Sequence, residues 1–426
     1  MIIPQFRVLA LIPVIAFAAL AMAPGCGSSA SGLASGLASG AGDAGGIIVV
    51  GDDAGDGSTD APKAIGEVTG IVVAPEGTIP IAGALIYLTK TEPAPIPSGI
   101  YCDKCVQLSS LAFTYSSARG AFSLPVHEAG EQFMVTQKGQ FRRIRRVTVR
   151  AGTQSSVPAD TRLPGRNDAA NGDTIPKMKV MRASWDAIGN SLRKLGITEY
   201  DGPPMGFSLD NTLDDAALLS KYHIVFIPCS GSTSPDLGSG PVCSGIYTPS
   251  GNGKRVMKEF IQGGGKLYVT DWSYEYVNQT WPGFIQFTGG SPNVIGSACT
   301  LGSYSGPAKW GDPALGDWMN AIGEQNAQLE KSYIGIDSTR PQPGLDENGQ
   351  PVTITPMVWA STMSNGTPRI ATVSFQDKCG RVMYSTYHAE GTDNGGSNTL
   401  LAQEKALFHI LLEVSACVGV RPEPPR

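Results

Sequence analysis

The chain has 426 residues, long enough for two or three domains with a sizeable core. Only 16% of the residues are charged and the net charge is −5, which excludes a general attraction to nucleic acid or to anionic lipid. Glycine, at 53 residues, points to many turns and to linker sequence.

Residues 1–25 read as an export signal. Arg7 precedes the apolar run VLALIPVIAFAALAMA (Val8 to Ala23), and APGC then ends at Cys26. An apolar run with small residues before a cysteine resembles a bacterial lipoprotein signal. The resemblance implies acylation of Cys26 and anchoring to outer-membrane lipid or at the cell surface. Ordinary cleavage, leaving the protein periplasmic or secreted, is the alternative. Residues 26–63 carry the repeat SGLASGLASG and few apolar side chains, so they read as a flexible Gly/Ala/Ser tether. Its r.m.s. reach is on the order of 30–35 Å.

Residues 64–152 change to short β-branched or aromatic alternations between turn residues: EVTGIVVA, AGALIYLT, GAFSLPV, EQFMVTQ and RIRRVTVRAG. Strands at this spacing predict a small antiparallel β-sandwich. The order G-x-V-x-G, P-I-A-G-A-L-I, S-A-R-G-A-F-S-L resembles the carboxypeptidase regulatory-like (Ig-like) domain, in that family an accessory module without a catalytic site. FRRIRRVTVR is expected on an exposed edge, with arginines on both faces discouraging strand addition; a patch for acidic polysaccharide or lipopolysaccharide is the functional alternative. Residues 153–176 read as a linker.

From 177 to 420 strands and helices alternate, and 421–426 form a tail. KMKVMRAS and KYHIVFIPC are strands, the second apolar throughout, as buried parallel strands are. GKRVMKEFIQGGG is a helix ended by glycines, followed by the strand KLYVT, and GRVMYSTY precedes the helix LLAQEKALFHILLEV. In that last helix Leu400, Leu407, Leu411 and Val414 form an apolar stripe, with Lys405, His409 and Glu413 opposite. The alternation predicts an open, mostly parallel α/β sheet.

This order, with SKYHIVFIPCSG, GGGKLYVTDWS and CGRVMYSTYHAEG as its landmarks, resembles the class I glutamine amidotransferase-like fold. In that family a strand ends in an elbow carrying a nucleophilic cysteine, and a late strand ends in His-Pro-Glu. His388 and Glu390 match the histidine and the acid, with Ala389 for proline. The elbow departs: Asp271 stands at the cysteine, Thr270 before it and Ser273 at the second glycine. A carboxylate is a poor substitute for a thiolate attacking an amide, so amidotransfer is not expected. The resemblance instead implies a degenerate site, with Asp271 and His388 some 3–6 Å apart at the carboxyl edge of one sheet.

Export permits disulfides, with Cys102, Cys105, Cys229, Cys243, Cys379 and Cys417 as candidates. Cys102 and Cys105 are expected to pair within their loop, Cys379 to pair with Cys417, and Cys299 to stay unpaired. Cys229 pairs with Cys243, remains a buried thiol, or serves as an alternative nucleophile beside His388; the sequence leaves these open. Asp271, His388 and Glu390 make an O/N/O set that a divalent metal could use. A hydrogen-bonded polar cluster is the preferred reading, so no metal or cofactor is expected. His127, His223 and His409 read as structural or solvated. The functional expectation is a non-catalytic envelope lipoprotein binding an unknown protein or polysaccharide, with no nucleic acid. The alternative is a hydrolase using His388 and Glu390 with Asp271 or Cys229.

Overall fold

The computed structural model describes residues 63–103, 106–108, 112–202, 211–231, 246–291, 293–299, 302–390, 399–412 and 418–419. The expectations for the export signal, the tether, Cys26, Cys105, Cys243 and Cys417 fall outside these residues.

Two layers of mostly antiparallel strands begin the described chain. One orders β1 (Gly66–Ile71) between β4 (Ala121–Val126) and β7 (Gly152–Ser155). The other runs β3 (Phe113–Tyr115), β2 (Leu85–Thr89), β5 (Gly130–Lys138), β6 (Phe141–Val149), β8 (Asp173–Thr174). Alternation along β4 buries Phe122, Leu124 and Val126 and exposes Ala121 and Ser123, as period-two patterning requires.

Two expectations for this region are corrected. The arginine-rich strand β6 is not an edge, because β8 pairs with it through Arg142 and Arg143. Residues 153–176 are not merely a linker: they supply β7, β8 and the buried Leu163 and Ile175. The physical reason is charge. Arg143 donates to both carboxylate oxygens of Asp173 at 2.8 and 2.6 Å, and Arg145 lies 2.9 Å from the same group. Burial alone would raise the Asp173 carboxyl, yet the two guanidiniums hold it below its usual value. Arg142 donates to the carbonyl of Ala94, and Arg146 lies over the Phe133 ring.

The second part is a nine-stranded mixed sheet, not the mostly parallel one expected, because five of its eight strand pairings are antiparallel. Its parallel half runs β9 (Met178–Val180), β10 (Ile224–Ile227), β11 (Lys266–Thr270), β18 (Gly380–Ser385). The remainder is antiparallel: β17 (Thr367–Asp377) beside β18, then β15 (Ile336–Thr339) and β12 (Ile285–Phe287). Alongside β17 runs β16 (Met357–Ser364), which also pairs β13 (Lys309–Trp310); outside this sheet β14 (Gln328–Ser332) pairs antiparallel with Tyr304–Pro307. The helices that cover this sheet include α1 (Ile188–Lys194), α2 (Gly251–Gln262), α4 (Pro313–Ala321) and α5 (Ala402–Leu412); α3 (Glu275–Thr280) follows the turn after β11. In α2, Ser250 caps the Gly253 amide while Val256, Met257, Phe260 and Ile261 are buried at helical spacing.

The two parts share one core. Val68, Leu124 and Phe141 belong to the same apolar cluster as Ile188, Leu192, Leu407 and Phe408. Phe141 meets Phe408 edge to face, and the indole of Trp318 donates to the Pro80 carbonyl at 2.7 Å. Hence α5 is buried nearly all round, and His409, expected on a polar stripe, is stacked on Trp318.

A disulfide joins the parts as well. Cys102 pairs with Cys379, their Cα atoms 5.0 Å apart, which overturns both the Cys102–Cys105 and the Cys379–Cys417 pairings. Cys299, expected as the unpaired thiol, is disulfide-bonded too. The loop bearing Cys102 lies against the turn between α2 and β11. Gly264 there has φ 106°, and a Cβ on it would meet the Tyr101 carbonyl at 1.9 Å, so no larger residue fits. Asp103 pairs with the buried Lys266 at 3.0 Å, and the His223 ring spans the Lys177 amide and the Pro97 carbonyl.

Candidate functional site

Strand register builds the site. Ile227 aligns with Val269 and Thr270 with Ser385 across three adjacent parallel strands. Cys229 lies two residues beyond β10, Asp271 one beyond β11, and His388 three beyond β18. Their loops therefore leave the same carboxyl edge side by side, where ligands of open α/β sheets collect.

Asp271 opens a 3₁₀ turn, Asp271–Tyr274, directly after β11. Its φ is 45°, a left-handed value rare outside glycine and costing roughly 1–3 kcal/mol. The sharp strand-to-helix turn that carries a nucleophile in elbow-type sites has this character. Here the residue is a carboxylate with every side occupied. Oδ2 lies 3.2 Å from His388 Nε2, inside the separation expected from sequence. Oδ1 accepts from the Tyr333 and Ile334 amides at 3.2 and 3.0 Å. The Tyr384 hydroxyl donates to its carbonyl at 2.9 Å, and the Tyr333 ring leans over His388 with centroids 5.5 Å apart.

Cys229 completes the cluster. It is a buried thiol rather than half of a disulfide, with Sγ 3.9 Å from Asp271 Oδ2. The ligand atoms of Cys229, Asp271 and His388 all lie within 4.8 Å of one another. Asp271, Cys229 and His388 are 0, 1 and 2% exposed, so no substrate reaches them without movement of the surrounding chain. Burial pushes the Asp271 carboxyl up to about 6, against the lowering pull of His388 and the two amides.

Glu390 stands apart from this arrangement. Its Oε1 accepts from Asn190 at 3.0 Å and lies 3.8 Å from Lys194, both on α1, and its Oε2 is buried with no hydrogen-bond partner among the described residues. Burial raises its carboxyl, with Asn190 and Lys194 opposing. The acid facing the His388 ring is Asp271, so the His388–Glu390 half-triad is corrected to a His388–Asp271 pair.

Asp186 was not singled out from sequence, and it organises the site. Its carboxylate accepts from the Thr270 hydroxyl at 2.8 Å and from the Ala389 amide at 2.9 Å. Thr270 in turn accepts from the Cys229 amide at 2.8 Å, so one buried network ties three loops together. The available signal was an aspartate, S-W-D, just past the first strand of the sheet. Tyr333 and Ile334 carried none, because they contribute backbone amides.

No family model and no curated protein matches the chain. Among solved structures, a cytoplasmic protein from Salmonella typhimurium is 11% identical and aligns over 56% of this chain and 98% of its own, with a TM-score of 0.32. A putative ThuA-like protein from Bacteroides uniformis is 8% identical over 56% of this chain and 89% of its own, with a TM-score of 0.31. Neither likeness carries an activity across.

Proposed function

We propose that this chain is an exported, lipid-anchored cell-envelope protein that binds a protein or glycan partner, and that its second part is a degenerate, non-catalytic class I glutamine amidotransferase-like domain. The observation that carries this reading is the state of Asp271. It holds the strained position after β11 where the family places its cysteine, yet it is a carboxylate. Two backbone amides of the kind that would stabilise an oxyanion are already bound to its own oxygen. The ring nitrogen Nε2 of His388 faces the same carboxylate at 3.2 Å, so it is turned to Asp271 where the family's histidine would face the nucleophile. Export and anchoring are supported by the apolar run ending at Cys26 and the low-complexity tether behind it. The strand layers ahead of the mixed sheet fit a regulatory-like sandwich acting as spacer or adhesion module.

A hydrolase using Cys229 with His388 is the second reading, favoured by the closeness of their ligand atoms. Exposure of 2% or less weighs against it. The test has two arms on one preparation. A fatty-acid analogue should label the wild type and miss Cys26→Ser; equal labelling of both would remove the anchor. After dialysis against a chelator, iodoacetamide should reach Cys229 only once the protein is denatured. Labelling of the native chain that disappears in His388→Ala would establish an activated thiol and overturn the non-catalytic reading.

A further inference from the structure

The same cluster has a second chemistry, independent of whether the domain has lost catalysis. We propose that Cys229, Asp271 and His388 bind one zinc ion, which locks the loops after β10, β11 and β18 together. The ligands supply a thiolate, a carboxylate oxygen and an imidazole nitrogen, each a donor that zinc accepts; the sulfur argues against magnesium and calcium. Zinc with bonds of about 2.3 Å to sulfur and about 2.0–2.2 Å to nitrogen and oxygen holds tetrahedral ligand atoms roughly 3.4–3.6 Å apart. Here Oδ2 and Nε2 are 3.2 Å apart and Sγ and Oδ2 3.9 Å, with all three atoms inside 4.8 Å. Shifts of a few tenths of an ångström bring these two separations onto a zinc site.

Neighbouring groups brace Asp271 and the Cys229 backbone directly, and the backbone next to His388. Asp271 Oδ1 is fixed by the Tyr333 and Ile334 amides, which leaves Oδ2 turned toward His388 and Cys229. The Cys229 backbone is pinned to Thr270, and Asp186 braces both Thr270 and the Ala389 amide beside His388. On binding, the Cys229 thiol releases its proton to water, and the divalent charge offsets the buried carboxylate and thiolate. Glu390, part of the O/N/O set weighed from sequence, is engaged by Asn190 and Lys194; Cys229 takes its place.

The experiment uses the full chain, stripped with a chelator, reloaded with zinc chloride and desalted, with metal measured by mass spectrometry. The wild type should retain one zinc per chain, and Cys229→Ser and His388→Ala should bind at least about tenfold more weakly. Cobalt substitution of the wild type gives a readout that no unfolded variant can confuse: a thiolate-to-cobalt charge-transfer band with a tetrahedral visible spectrum. Failure of the wild type to retain zinc, undiminished retention by Cys229→Ser, or a cobalt spectrum without the thiolate band would each overturn the proposal.

Discussion

At Asp271 the chain places a carboxylate where folding strains the backbone and excludes water. Its pairing with His388 was legible in the sequence, because a residue one past KLYVT and a residue three past GRVMYS meet whenever those strands are parallel neighbours in register. The role of Glu390 was not, since Asn190 and Lys194 lie about two hundred residues away on another element. Burial raises the Asp271 carboxyl to about 6, whereas in an unfolded chain it titrates at about 3.9. Between those values the folded protein holds a proton that the unfolded one lacks. The stability this group contributes is therefore fully present below the lower value and lost as pH rises through about 6. Metal-free wild type should gain melting temperature relative to Asp271→Asn as pH falls from 7 to 5. A difference that is flat, or that moves the other way, would show that this carboxyl titrates normally.

Among the elements, β9, β10, β11 and β18 were readable as strands, β10 from its continuous apolar run, and α2 from its glycine stop. What escaped was set by tertiary contact. The stripe on α5 predicted one buried face, but Phe141 and Trp318 bring packing to its other sides. The β6 arginines looked like edge charges because their counter-ion, Asp173, lies in a stretch with linker-like composition. Cysteine pairing was illegible for a similar reason: Cys102 meets Cys379 only because its loop docks against the turn at Gly264. Closing a loop of 277 residues contributes about 5.6 kcal/mol in the chain-entropy model, less any strain. An unreduced digest should yield a Cys102–Cys379 peptide, and Cys379→Ser should melt several degrees lower. An unchanged melting temperature, or a Cys102–Cys105 peptide, would contradict the pairing.

For the molecule as a whole, composition predicted separate modules on a linker, whereas the described residues share one apolar core, a disulfide and the Asp103–Lys266 pair. The candidate site lies at the carboxyl edge of the parallel strands and is closed by the backbone at Tyr333 and Ile334. Whether that closure persists in solution decides between an inert site and a masked enzyme. Hydrogen exchange at the Ile334 amide measures it directly, because that group donates to the buried Asp271 carboxylate at 3.0 Å. Slow exchange is expected in the wild type, with faster exchange in Asp271→Gly, which removes the acceptor while keeping the φ of 45° accessible. Exchange in the wild type as fast as in an exposed loop would mean that the site opens freely to water, and the account of a plugged, non-catalytic site would be wrong.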